Sequence, residues 1–173
     1  MKSVLAITVI IFFSLIKSVT ASNNIVFIDL DLVLKDSKAG ANVLKQLTVL
    51  KDNNLKDFKK QRKLLKENEE KIINQKNILS KEDFQLKIIN LKKEVKTYNE
   101  YREDKIKIFN KMKSDNTNKL LKLINPIILK YTKDKSISMV LQKKNLLLGK
   151  AEFDITSLVI ELVDKDIKEF KIK

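Results

Sequence analysis

The chain has 173 residues, with 36 Lys plus Arg against 22 Asp plus Glu for a net charge of +14, and it contains neither Cys nor His. This excludes disulfide frameworks, the usual transition-metal sites and His- or Cys-based nucleophilic catalysis, so packing or association must hold the fold together. A surface this basic attracts anionic partners.

The first element is a leader. Met1-Lys2 precedes an apolar run from Val4 to Ile16, and Val19-Thr20-Ala21 supplies the small residues a signal peptidase reads. The run is too short to span about 30 Å of hydrocarbon. Cleavage after Ala21 is therefore expected, leaving an exported mature chain of net charge +12; the alternative is an uncleaved anchor flanked by Lys17.

Asn24-Ile25-Val26-Phe27-Ile28-Asp29 is β-branched and apolar, which reads as a short buried strand. Asp29 is expected to cap or turn the chain into a brief helix over Leu30 to Leu34, followed by Asp36-Ser37-Lys38-Ala39-Gly40. No Gly or Pro then occurs between Ala41 and Asn125, so long helices are expected. Leu44, Phe58, Leu65, Ile72 and Leu79 share one seven-residue register, and Leu47, Asn54, Gln61, Asn68 and Gln75 share its partner. The first long helix thus has a narrow apolar seam beside an amide seam.

Ser80-Lys81-Glu82-Asp83 has the Ser-x-x-acid pattern of a helix start, which places a turn before it. Beyond it Phe84, Ile88, Leu91, Val95, Tyr98, Tyr101, Ile108 and Met112 follow helical spacing. A second helix folding back on the first, as an αα-hairpin, is the consequence. From Lys51 to Lys119 there are 20 cationic side chains against 12 anionic ones. Pro126 interrupts the apolar run Leu120 to Leu129 and is expected to kink or break the helix where arm meets body.

Ser136 to Leu141 alternates polar and apolar, and Leu146-Leu147-Leu148 follows a polar turn, which reads as strand, turn, strand. Asp154 is expected to cap a helix over Ile155 to Asp166 whose apolar face is Ile155, Leu158, Val159, Leu162 and Val163. The reading is an α+β chain: a β-containing body from residues 22–40 and 126–173, with residues 41–125 as a helical hairpin arm.

These elements together resemble the Skp/OmpH family of periplasmic outer-membrane-protein chaperones. The likeness rests on Ile25 to Asp29 leading through Val33-Leu34 to Ser37-Lys38-Ala39-Gly40, the Lys-rich hairpin, Ile124-Asn125-Pro126-Ile127-Ile128, the strand region Ile137 to Leu148, and Asp154-Ile155-Thr156. The resemblance implies a homotrimer with a shared central β body and three arms around a cavity that holds unfolded outer-membrane proteins. It implies no ATP, no cofactor, no metal and no catalytic residues. Lipopolysaccharide or another anionic lipid is a further partner of the family, but no local motif fixes which Lys would meet it.

The expected client contacts are distributed and electrostatic: Lys59, Lys60, Lys63, Lys66, Lys71 and Lys76 on the first arm helix, with Lys92, Lys93, Lys96, Lys105 and Lys107 on the second. Tyr98, Tyr101, Phe109, Phe58 and Phe84 are read as packing between helices. Ile25, Phe27, Met139, Leu141, Leu146 and Leu148 are assigned to the body core and subunit interface. Two other readings fit the charge and the coiled-coil pattern: an envelope tether, or a non-specific nucleic-acid binder without a reading module.

Overall fold

The computed structural model describes residues 24–172; the expected signal peptide lies outside the described residues. Strand β1 (Ile25–Ile28) leads into helix α1 (Leu30–Asp36), then two long helices, α2 (Lys38–Asn74) and α3 (Lys81–Asp134). Strand β2 (Met139–Gln142), two short 3-10 turns at Lys143–Asn145 and Ala151–Phe153, and helix α4 (Thr156–Asp166) complete the chain. At 1.5 Å per residue the long helices run roughly 55 and 80 Å.

The junctions between elements are set by side-chain caps. Asp29 accepts from the Leu32 amide at 2.9 Å and starts α1, as expected. Ser37 ends α1 and starts α2, its Oγ accepting from Gly40 N–H at 3.2 Å. A Cβ on Gly40 would run into the Leu34 backbone carbonyl, so only glycine lets the two helices turn this tightly. The Asp164 carboxylate accepts from the Lys38 amide at 2.6 Å, placing an anion at the positive end of α2. At the far tip, Ser80 caps α3 through the Asp83 amide at 3.1 Å, as its spacing predicts.

Four expectations need correction. The first long helix ends at Asn74 rather than reaching Leu79, because Gln75 to Leu79 form the turn that precedes the Ser80 cap. Pro126 does not break α3, which continues to Asp134. Pro126 and Lys122 are both exposed, so water can satisfy the carbonyl that loses its amide partner. Helix α3 instead stops where Ser136 takes the left-handed conformation, φ 51°, and Ile137 N–H returns to the Thr132 carbonyl at 2.9 Å.

Leu146 to Leu148 do not form a strand. Strand β1 pairs in parallel with β2, from Ile25 against Met139 to Ile28 against Gln142. Its other edge is met by Asp154, through an isolated bridge to Phe27 and the Ile155 N–H donating to the Phe27 carbonyl at 3.0 Å. After β2 the chain enters the 3-10 turn at Lys143–Asn145 rather than a hairpin turn, and the leucines form no ladder with β2, whose outer edge stays open in this chain. Asp154 also does not occupy the cap position of α4; Ile155 does, without a side-chain bond. The extended bridge to Phe27 holds Asp154 one residue further out, where its carboxylate accepts from the Thr156 amide at 3.0 Å and from the Thr156 hydroxyl.

The core of the body is helical more than β. Val33, Leu120, Ile124, Val159 and Val163 are fully enclosed, and Ala39, Val43, Leu47, Val26 and Ile28 pack around them. Residues after α4 run along the first turns of α2: Ile167 and Phe170 are buried, and the Phe170 carbonyl accepts from Asn42 at 3.0 Å and Gln46 at 3.2 Å. Of the residues assigned to the body core, Phe27 is buried, Leu141 and Leu146 are half-buried, and Ile25, Met139 and Leu148 are exposed on the single chain.

Replacing a fully enclosed root residue should unfold the clamp at lower denaturant: Ile124→Ala should cost about 3 kcal/mol in a urea titration, against under about 0.5 kcal/mol for the exposed Leu86→Ala. Equal losses would contradict the placement of the core.

A second prediction concerns Asp154. Burial opposes its charged form, but Lys143 at 2.7 Å and the Thr156 hydroxyl and amide outweigh that and hold the carboxyl below its ordinary 3.8. A lowered folded value means the stabilisation is fully present above the unfolded value and is lost as pH falls through the folded one. Asp154→Asn should therefore lower the urea midpoint at pH 7, and the gap to the parent protein should narrow as pH falls below the ordinary carboxyl value of 3.8. A gap that stays constant across that range would show that the carboxylate charge is not what matters.

Candidate functional site

The arms are built on one seam. In α2, Asn54, Phe58, Gln61, Leu65 and Asn68 are half-buried and Leu47 and Ile72 buried. In α3 the matching residues are Leu91, Tyr98, Tyr101, Lys105, Phe109, Met112, Asn116 and Leu120. Both heptad registers of the first helix are thus used, the amide one included. Leu44, Val95 and Ile108 fall off the seam, at 43%, 39% and 56% exposure, and Val43 and Phe109 stand where Leu44 and Ile108 were expected. A heptad count from one end drifts by about 20° per repeat on a straight helix, and the antiparallel partner decides which neighbour turns in.

Three polar contacts fix the register. Asn68 donates to Glu94 at 2.9 Å, Tyr98 O–H to the Phe58 carbonyl at 3.2 Å, and Tyr101 O–H to Asp57 at 2.6 Å. The Phe58 and Tyr101 rings meet edge to face with centroids 6.3 Å apart. Hydrogen bonding to the Asp57 carboxylate holds the Tyr101 phenol above its ordinary value. Tyr98, Tyr101, Phe109 and Phe58 therefore pack between the helices, as expected.

The expected client-contacting Lys residues do not share one surface. Lys59, Lys63 and Lys66 step by four and three along one face of α2, and Lys60 and Lys71 lie on another. Lys63 pairs with Glu67 at 3.6 Å, Lys66 with Glu70 at 3.8 Å and Lys96 with Glu100 at 3.9 Å. Such exposed i, i+4 pairs contribute little but neutralise the local field. Lys76 lies in the tip turn, and Lys92 and Lys107 are exposed. Lys105 sits 5.4 Å from the centroid of the Tyr101 ring, and Lys93 lines a groove with Leu64, Leu65 and Thr97.

The opposite side of the hairpin carries a second groove, of about 490 Å³, lined by Lys51, Leu55, Phe58, Lys59, Arg62, Arg102, Ile106 and Phe109 among others. Of these only Lys59 was expected to meet a partner. The signal is present in the sequence as alternating base and apolar residues at Lys51, Leu55, Lys59, Arg62 and again at Arg102, Ile106, Phe109, but only the paired register shows that the two rows face one groove.

The model of OmpH-like outer membrane proteins matches residues 24–163. The chain belongs to the OmpH-like family. A crystal structure from Caulobacter crescentus, of a candidate outer membrane chaperone described as OmpH-like, superposes with a TM-score of 0.79 over 88% of this chain and 90% of its own, at 14% identity. At that identity the likeness carries the fold alone. No curated protein matches the chain. The OmpH-like fold is thus shared as a whole, body and arms together.

The seam contacts make a graded prediction. Tyr101→Phe keeps the ring against Phe58 and should lower the melting free energy by about 0.5–1 kcal/mol, whereas Tyr101→Ala should cost about 2 kcal/mol or more by circular dichroism. An effect of the same size in both would mean that the hydroxyl alone holds the arms together.

Proposed function

We propose that this protein is an ATP-independent periplasmic holdase, without enzymatic activity, that captures unfolded outer-membrane proteins between its arms and works as a homotrimer. The observation that carries the reading is the pair of long helices standing away from a clamped body with only one seam buried. They keep Leu55, Leu64, Ile73, Leu86, Ile89 and Ile106 exposed among a surplus of cations. Membership of the OmpH-like family and the name of the Caulobacter relative support it.

A holdase must bind tightly enough to stop aggregation and loosely enough to release. Many weak contacts meet both needs. Apolar spots among flexible Lys stems offer such contacts, and a field of one sign speeds the encounter with an acidic unfolded chain.

Self-association is supported by the body. Met139 is 51% exposed, Leu147 96% and Leu148 89%, and Leu148 lines an apolar hollow with the exposed Ile25 and Phe153 and with Phe27 and Leu141 of the two strands. Ile25, Met139 and Leu148 thereby serve the subunit interface in this reading, with Leu141 and Leu146 beneath them. Apolar surface of this kind marks an interaction site.

Light scattering on the mature protein should give the mass of three chains, and the protein should suppress turbidity when a urea-unfolded barrel protein is diluted into buffer. Rising salt should weaken the effect. Leu147→Asp with Leu148→Asp should shift the mass toward one chain. A parent protein that runs as a monomer and leaves turbidity unchanged would end the proposal.

A further inference from the structure

The two faces of the hairpin differ in a way that the overall charge does not reveal. The face that holds Tyr101 carries carboxylates as well as cations: Asp57 accepts from Tyr101, Glu94 accepts from Asn68, and Lys105 rests over the Tyr101 ring. On the opposite face, Lys51, Lys59, Arg62 and Arg102 surround the groove, all exposed, and no ion pair or hydrogen bond joins any of them to a carboxylate among the described residues. Elsewhere on the arms Lys63, Lys66, Lys96 and Lys111 each find an acid one turn away. No carboxylate lines this groove. Its floor is apolar: Phe58 and Phe109 are half-buried, and Leu55 and Ile106 remain 52% and 38% exposed.

We propose that this mid-arm groove is a discrete docking site for a short extended peptide segment in which apolar side chains alternate with carboxylates. The inference rests on the holdase reading and names the client feature recognised. Two properties select that occupant. Charge complementarity requires an anion, since four unpartnered cations ring the floor. Shape requires an elongated apolar ligand: from Lys51 to Arg62 the groove follows α2 for roughly 17 Å, the span of about five extended residues. In an extended segment alternate side chains point the same way. Leu, Phe or Val at alternate positions can therefore lie on Leu55, Phe58 and Ile106 while intervening Asp or Glu residues meet the rim, where Lys and Arg stems are long enough to follow them. Strands of membrane barrels alternate between apolar and polar side chains in this way, which makes their unfolded segments suitable occupants.

Arg62 and Arg102 give the rim its selectivity. Their planar guanidinium groups can each take a carboxylate with two parallel hydrogen bonds, whereas the Lys residues act as point charges. They are the two arginines of the chain, and both line this groove.

The test uses the full mature protein and a fluorescein-labelled ten-residue peptide in which Phe and Leu alternate with Asp and Glu. A control peptide carries Lys in place of the acids. Anisotropy should show saturable binding of the acidic peptide and none of the basic one. Arg62→Glu with Arg102→Glu should weaken the acidic peptide roughly tenfold. Lys56→Glu with Lys81→Glu makes the same change in net charge at positions that do not line the groove, and should weaken it less than about twofold. All four positions are exposed, and circular dichroism at equal helicity confirms that both double variants fold.

Equal weakening by the two doubles would mean that bulk charge, not the groove, binds the peptide, and would overturn the proposal. Binding of dodecyl phosphate below its micelle concentration, without binding of the peptide, would overturn it too, in favour of a lipid-like anion. The turbidity assay on the parent protein separates this inference from its parent reading. Discrimination between the doubles without suppression of aggregation keeps the groove and removes the holdase, and suppression without discrimination does the reverse.

Discussion

Leu120 and Ile124 of α3, and Val43 and Leu47 of α2, are held against Val33 from the beginning of the chain and Val159 and Val163 from its end. The rest of the molecule depends on that clamp. A helix hairpin joined along one narrow seam would be marginal alone, because most helical stability in proteins comes from packing. With the roots enclosed, the helices can extend into water and keep apolar side chains exposed. The clamp is closed by a small polar ring in which Thr156 accepts from the Asp29 amide at 2.9 Å and bonds Asp154, itself paired with Lys143 at 2.7 Å. Unsatisfied polar atoms are absent among the buried side chains of the described residues, so this ring adds specificity without leaving a buried group unpaired.

The seam of the arms is a compromise between holding and yielding. Asn54, Gln61, Asn68 and Asn116 take places that Leu would fill in a tighter coiled coil. Amides fix the alignment of the helices, as the Asn68 contact to Glu94 shows, yet contribute less burial. The space they leave appears as grooves on either side of the hairpin, one mixed in charge and one purely cationic.

Much of the fold was legible because it is written in local chemistry. Asp29 and Ser80 announce helix starts through oxygens that reach amides three residues on, and the long stretch without Gly or Pro announces the arms. Misreadings arose where a distant partner decides. Leu146 to Leu148 has the composition of a strand, but a 3-10 turn follows β2 where a hairpin turn would be needed to lay it alongside. Pro126 carries the usual mark of a break, yet it lies on a wet face where its missing bond costs little. The candidate Lys residues could be counted but not oriented, since a helical face acquires meaning only when the opposing row, Arg102 to Phe109, is set against it.

Strand β1 also constrains the order in which the chain can be completed. Ile25 finds its ladder partner at Met139 and Phe27 at Leu141, and the other edge of Phe27 is bridged by Asp154 later still. A polypeptide made from its N-terminus therefore holds its first strand unmatched while the entire hairpin is synthesised. Contacts between sequence neighbours form quickly and those between remote segments slowly. The hairpin thus acts as a spacer of fixed geometry that returns the growing chain to its own starting point, and body assembly is timed by the emergence of the last forty or so residues.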